Sequence, residues 1–183
     1  IINHSPIVAF QWKNEENWSV EFVTENVEKL LGYPAKSFLE GAIKYSDIIH
    51  KSDAKRVSDE VAHFSKQDTP DIFDHEPYRV ITKDGVVKWI EDKTTINRDA
   101  SGNITHYEGI VTDVTDRILT RNALKESESK LRNIIENSTN MYYSHGTDHE
   151  ISFVSPQVKE ILGCEPEEAM KRWTDFATDN PLN

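Results

Sequence analysis

The chain has 183 residues, 37% of them hydrophobic, with four tryptophans and a formal net charge of −11. The apolar fraction and the tryptophans exclude global disorder, and the acidic balance argues against binding nucleic acid or an anionic membrane through bulk electrostatics. One cysteine, Cys164, excludes an intrachain disulfide framework and suits a reducing, cytoplasmic setting; no run of about 18 apolar residues is available to cross a membrane. The chain begins at Ile1 with no signal-peptide pattern and reads as a piece of a longer protein, which can be membrane-anchored elsewhere.

Taken in order, Ile7 to Lys13 alternates, with Val8, Phe10 and Trp12 on one face of a half-buried strand. After the polar turn Asn14-Glu15-Glu16-Asn17, Trp18 to Val23 alternates again with Trp18, Val20 and Phe22 together, which predicts a hairpin. Thr24 is placed to cap a helix burying Val27, Leu30 and Leu31; Gly32 ends it and Pro34 blocks its continuation. Short helical pieces over 36–40 and 45–49 lead to Ser52, which is expected to cap a longer helix from Asp53 to about Lys66 carrying Val57, Val61 and Phe64 inward. Three strands follow: Phe73 to Thr82, with Pro77 weakening its pairing or marking a bulge; Val86 to Asn97, after an Asp84-Gly85 turn; and Ile104 to Val114. Strand, helices, then a meander predict an α+β domain: a five-stranded antiparallel sheet with helices on one face. Ile118 to Asn137 then reads as a long polar helix.

These residues, in this order, resemble the PAS family with its PAC extension. The resemblance is carried by Leu30-Leu31-Gly32-Tyr33-Pro34, by Ile48-Ile49-His50-Lys51-Ser52-Asp53 (with Lys51 where the family has proline), by Tyr78-Arg79, Lys83-Asp84-Gly85 and Trp89-Ile90, and by the closing Asp113-Val114-Thr115-Asp116-Arg117. An internal repeat supports it: Ile134-Ile135-Glu136-Asn137-Ser138 echoes Ile1-Ile2-Asn3-His4-Ser5, Ile151-Ser152-Phe153-Val154 echoes Val20-Glu21-Phe22-Val23, and Val158 with Ile161-Leu162-Gly163 echoes Val27 with Leu30-Leu31-Gly32. The expected division is a PAS domain with its PAC region over 1–115, a linker helix over 116–138, and the N-terminal part of a second, truncated PAS domain over 139–183.

The resemblance implies a sensory module without catalysis of its own, relaying to a histidine kinase or diguanylate cyclase outside this chain. A ligand-free dimerisation or scaffolding module is the alternative on the same fold. A small-ligand pocket in the family lies between the inner sheet face and the helices; alternation offers Phe22, Tyr78, Val80, Trp89 and Tyr107 with Val57 and Val61 as its lining, and a one-residue slip would exchange the strand set. The cofactor stays unassigned. Haem ligation would fall to His63 on the long helix, where a packing or surface role is the better reading, and the first domain has no cysteine for a flavin adduct. His145 and His149 are separated by a turn sequence, so no metal site is expected there. No nucleophile-elbow, Walker or kinase motif is present. Asp113, Thr115 and Arg117 are the expected hinge, with Thr115 capping the linker helix and Asp113 pairing with Arg117. Leu124, Leu131 and Ile134 form a narrow apolar stripe on that helix, which predicts a homodimer through it.

Overall fold

The structure, a computed structural model, describes residues 6–15, 17–66, 70–147 and 150–171. The chain divides into two compact units, Ile1–Leu119 and Thr120–Asn183. In the first, β1 (Ile7–Lys13) and β2 (Val20–Val23) are followed by α1 (Val27–Leu31), α2 (Ala35–Leu39), α3 (Tyr45–Ile48) and α4 (Lys51–Phe64). Strands β3 (Ile72–Asp74), β4 (Tyr78–Ile81), β5 (Val87–Arg98) and β6 (Ile104–Asp113) complete it, and α5 (Thr115–Glu136) begins directly after β6.

The antiparallel sheet runs β2-β1-β6-β5-β3, with β4 also paired to β5. The strand expected over 73–82 is therefore two strands sharing one edge of β5. Pro77 is the reason, because it has no N–H to give the ladder. Asp74 faces Lys93 and Tyr78 faces Ile90, so four steps on this edge span three on β5. The extra residue reverses the alternation, and Phe73, His75, Tyr78 and Val80 all end buried. A second irregularity lies between Gln11 and Trp12, where two steps of β2 oppose one of β1. It keeps Val20 and Val23 inward and turns Phe22 out to 51% exposure.

Val8, Phe10, Ile90, Ile96 and Val111 from the sheet pack with Val27, Leu31, Phe38, Tyr45, Ile48 and Val57 from the helices in one core. Phe10 stacks on Trp12 at 5.2 Å and meets Phe38 and Tyr45 edge-on. Two expected caps are made differently. Thr24 does not cap α1; its Oγ1 accepts from Ala9 N at 3.1 Å, tying the end of β2 to β1. Helix α4 starts before Ser52, and the His50 ring accepts from Ser52 N at 3.3 Å. Gly32 does end α1, with φ of 78° and its N–H on Glu28 O at 2.8 Å. Helix α4 is fastened to β4 by Asp53, whose carboxylate accepts three bonds at 2.8 Å, from Arg79 N, Nε and Nη2. Those bonds hold the Asp53 pKa down at about 2.

The second unit has a hairpin of β7 (Tyr143–His145) and β8 (Ile151–Val154), then α6 (Val158–Leu162) and α7 (Pro166–Lys171). Its local bonding follows that of the first. Ser155 Oγ accepts from Tyr142 N and Ser155 N donates to Tyr142 O, as Thr24 does with Ala9. Val154 is buried and Phe153 exposed, as are Val23 and Phe22. Gln157 Nε2 donates to Ile135 O and Glu136 O, and Cys164 is a free, half-buried thiol beside this small core. The expected echo at Ile1 to Ser5, and His149, lie outside the described residues.

Gly109 marks the closest approach in the sheet: a Cβ there would lie 2.3 Å from Trp12 Cζ3 and 3.0 Å from Asp92 Oδ1. Gly109→Ala is expected to lower stability by about 1–3 kcal/mol through overpacking, with a changed near-UV tryptophan signal, measured by urea unfolding and circular dichroism. An unchanged midpoint and spectrum would mean that the Trp12 ring has room to move.

Candidate functional site

A cavity of ≈ 30 Å³ lies between the inner sheet face and the helices. Its walls come from nearly every part of the first unit: Trp12 of β1, Trp18 before β2, Tyr45 of α3, Val57 and Val61 of α4, His75 between β3 and β4, Tyr78 of β4, Asp92 and Thr94 of β5, and Tyr107 of β6. A volume of this size admits about two waters, whereas drug-sized ligands need about 300 Å³ or more.

The polar part of the cavity is a chain of hydrogen bonds. Tyr78 OH donates to Asp92 Oδ2 at 2.8 Å, Thr94 Oγ1 donates to Asp92 Oδ1 at 3.2 Å, and the Tyr45 and Tyr78 hydroxyls are 2.7 Å apart. With the Tyr78 proton committed to Asp92, Tyr45 donates to Tyr78 and keeps an acceptor pair of its own. Burial pushes the Asp92 carboxyl up, and burial reinforced by the Asp92 charge pushes both phenols well above their ordinary values. His75, almost fully buried, sets its Nδ1 2.6 Å from Glu60 Oε2 on α4. Trp12 Nε1 is a buried donor with no hydrogen-bond partner. Tyr107 OH donates to Asn14 Oδ1 at 3.1 Å and lies 3.0 Å from Ser65 Oγ at the end of α4.

The N-terminal end of β5 holds the start of α5. Trp89 N donates to Thr115 Oγ1 and Val114 N donates to Trp89 O, both at 2.9 Å. Asp113 Oδ1 accepts from Thr115 N at 2.9 Å and Thr115 Oγ1 at 2.6 Å, and its other oxygen meets Lys88 Nζ at 3.0 Å. Burial of Asp113 opposes ionisation, but the Thr115 and Lys88 bonds outweigh it and hold its pKa below the ordinary value.

The sequence profile of the PAS fold matches residues 20–111. The chain belongs to the PAS fold family. It is 41% identical over 117 residues to the methyl sulfide methyltransferase-associated sensor of Methanosarcina acetivorans, covering 64% of this chain and 11% of that protein. It is 23% identical over 176 residues to the two-component sensor PprA of Pseudomonas aeruginosa, covering 96% of this chain and 18% of that one. The chain thus spans under a fifth of each of these curated relatives. Among solved structures, a sensory box histidine kinase/response regulator from Burkholderia thailandensis has a similar fold, with a TM-score of 0.58 and 22% identity over 72% of this chain and 95% of that one. No helix among the described residues is long and apolar enough to cross a membrane.

Within this PAS fold, four of the residues expected to line a pocket, Val57, Val61, Tyr78 and Tyr107, are in the cavity wall. Val80 is fully buried but packs in the core outside the cavity wall. Phe22 faces outward because of the β1–β2 irregularity. Trp89 is also on the outer face, because Ile90 and Asp92 take the inner one; its ring lies under the Arg79 guanidinium at 5.3 Å. His63, the haem candidate, is exposed beside Phe64. The expected Asp113–Arg117 pair is not formed: Arg117 reaches Glu91 at 2.6 Å instead. Thr115 is the first residue of α5 and receives a cap from Asp113. Leu124, Leu131 and Ile134 are 60%, 57% and 63% exposed, so among the described residues nothing covers the stripe.

Asp92, Thr94, His75 and Tyr45 were not among the sequence-derived lining residues. Asp92 and Thr94 share the inward alternation of the long strand with Ile90 and follow only once its face is known. His75 and Tyr45 depended on the bulge at Pro77 and the fold of the short helices.

Because the Asp92 pKa is raised above its ordinary 3.8, this group favours folding below that value and costs stability as pH rises through its folded-state pKa. Asp92→Asn, which keeps an acceptor for Tyr78, is expected to melt above the native chain at about pH 8, with the gap closing toward about pH 4, by scanning calorimetry. A lower Tm for the variant at both pH values would mean that the ionised carboxylate itself stabilises the fold.

Proposed function

We propose that this PAS domain is the sensory module of a larger cytoplasmic signalling protein, that it takes a small ligand between sheet and helices, and that α5 relays the occupied state to an output domain outside this chain. A histidine kinase or a diguanylate cyclase is the output that suits it, so the chain itself carries no reaction. The observation that supports a relay most is that β5 serves two sites: Asp92 and Thr94 face the cavity, while Trp89 binds Val114 and Thr115 at the start of α5. Residues 139–183 are read as the start of a second PAS domain, on the bonding of Ser155 with Tyr142, which repeats that of Thr24 with Ala9. The chain is proposed to act as a homodimer through Leu124, Leu131 and Ile134, since a lone polar-rich helix is marginal in water without a packing partner.

The small cavity favours a second reading, a ligand-free dimerisation module on the same fold. The two differ in what Asp113 does. Asp113→Ala in the full-length parent is expected to leave the domain folded and change output activity under stimulus; output equal to wild type would favour the scaffold. Sedimentation of residues 1–183 should give a dimer that Leu124→Asp/Leu131→Asp dissociates. A monomeric native chain at high protein concentration, or an intact double variant, would remove the linker as the contact.

A further inference from the structure

Five aromatic side chains, Trp12, Trp18, Tyr45, Tyr78 and Tyr107, share the cavity wall with one carboxylate, Asp92. We propose that the cavity takes a small organic cation, an ammonium ion carrying one or two methyl groups, with Asp92 as its counter-ion and the aromatic side chains as its walls. This deepens the ligand-sensing reading above and rests on it.

Asp92 is 4% exposed and makes no ion pair with lysine or arginine among the described residues. Its bonding partners are neutral hydroxyls, from Tyr78 and Thr94. The nearby base, His75, is engaged with a different carboxylate, Glu60, at 2.6 Å. Burial favours the neutral form of a carboxylate so placed, and the field of His75 offsets that only in part. A cation in the cavity would supply charge directly at the carboxylate. Aromatic walls attract the same class of ligand, because a desolvated cation interacts favourably with ring quadrupoles. An anion would meet Asp92 unfavourably, and a neutral alcohol of the same size gains neither interaction.

The volume sets the size. A space of ≈ 30 Å³ replaces about two waters, which suits two or three heavy atoms. Methylammonium and dimethylammonium fit that bound, whereas tetramethylammonium requires the walls to part. Val57 and Val61 supply apolar surface for the methyl groups from α4.

The test is titration calorimetry and thermal melting of the 1–183 chain with methylammonium chloride, against potassium chloride at equal ionic strength, methanol and sodium acetate. Saturable binding and a rise in Tm are expected with methylammonium alone, and Asp92→Asn is expected to weaken binding by about tenfold or more. The comparison among the probes on the native chain decides the matter even where the variant folds poorly. Equal responses to methylammonium and potassium, or undiminished binding by folded Asp92→Asn, overturn the cation assignment. A saturable response to methanol alone overturns the cation class and leaves ligand sensing standing. No saturable response to any probe, by this cavity as built, counts against both.

Discussion

A β-strand sends successive side chains to opposite faces, and β5 uses that constraint to serve two sites at once. Ile90, Asp92, Thr94 and Ile96 are buried toward the helices, and Asp92 and Thr94 reach the cavity. Between them, Glu91 points outward and pairs with Arg117 of α5, while the Trp89 backbone holds Val114 and Thr115. A shift of β5 that repositions Asp92 therefore also repositions the anchor of α5. The long pairing of β5 with β6, from Ile90–Asp113 to Arg98–Ile104, makes such a shift a movement of the strand pair and not of one side chain.

The helical side enters through charge. Asp53 fixes α4 to Arg79, and Arg79 in turn lies over Trp89, whose backbone carries the α5 contacts. The Asp53 pKa near 2 means that this clamp is complete above the ordinary value of 3.8 and loosens only as pH falls toward about 2. It is thus permanent at physiological pH. The Tyr45–Tyr78–Asp92 chain differs, because burial, reinforced for the two phenols by the Asp92 charge, favours the protonated forms of its members. The clamp thus joins α4 to β4, while the inner hydrogen-bond chain joins α3, β4 and β5.

Much of the architecture was legible because periodicity and turn chemistry agree along the chain. The inward residues of β1, the Gly32 stop and the Asp84-Gly85 turn all follow from local pattern. Trp89 was assigned the wrong face of a regular strand, while Phe22 and the missed His75 trace to irregular steps in the ladder. One extra residue opposite Gln11 and Trp12 turned Phe22 outward, and one at Pro77 brought His75 and Tyr78 to the same face. Asp113, Thr115 and Arg117 were singled out by resemblance as an expected hinge, but their partners were not legible. Lys88 and Glu91 come from β5, and only the strand register places them beside Asp113 and Arg117. The buried charge of Asp92 was hidden among 32 acidic residues for the same reason, since nothing local distinguishes an inward carboxylate from an outward one.

Coupling through β5 is tested most directly by amide hydrogen exchange at Trp89, Val114 and Thr115 when the cavity is altered from the helix side. Tyr45→Phe removes one hydroxyl from the chain without touching β5. The relay predicts altered exchange at Trp89 and Thr115 as well as at Asp92 and Thr94, with the Ala9 amide at the far side of the sheet unchanged. Altered exchange confined to Asp92 and Thr94, with Trp89, Val114 and Thr115 as in the native chain, would contradict it.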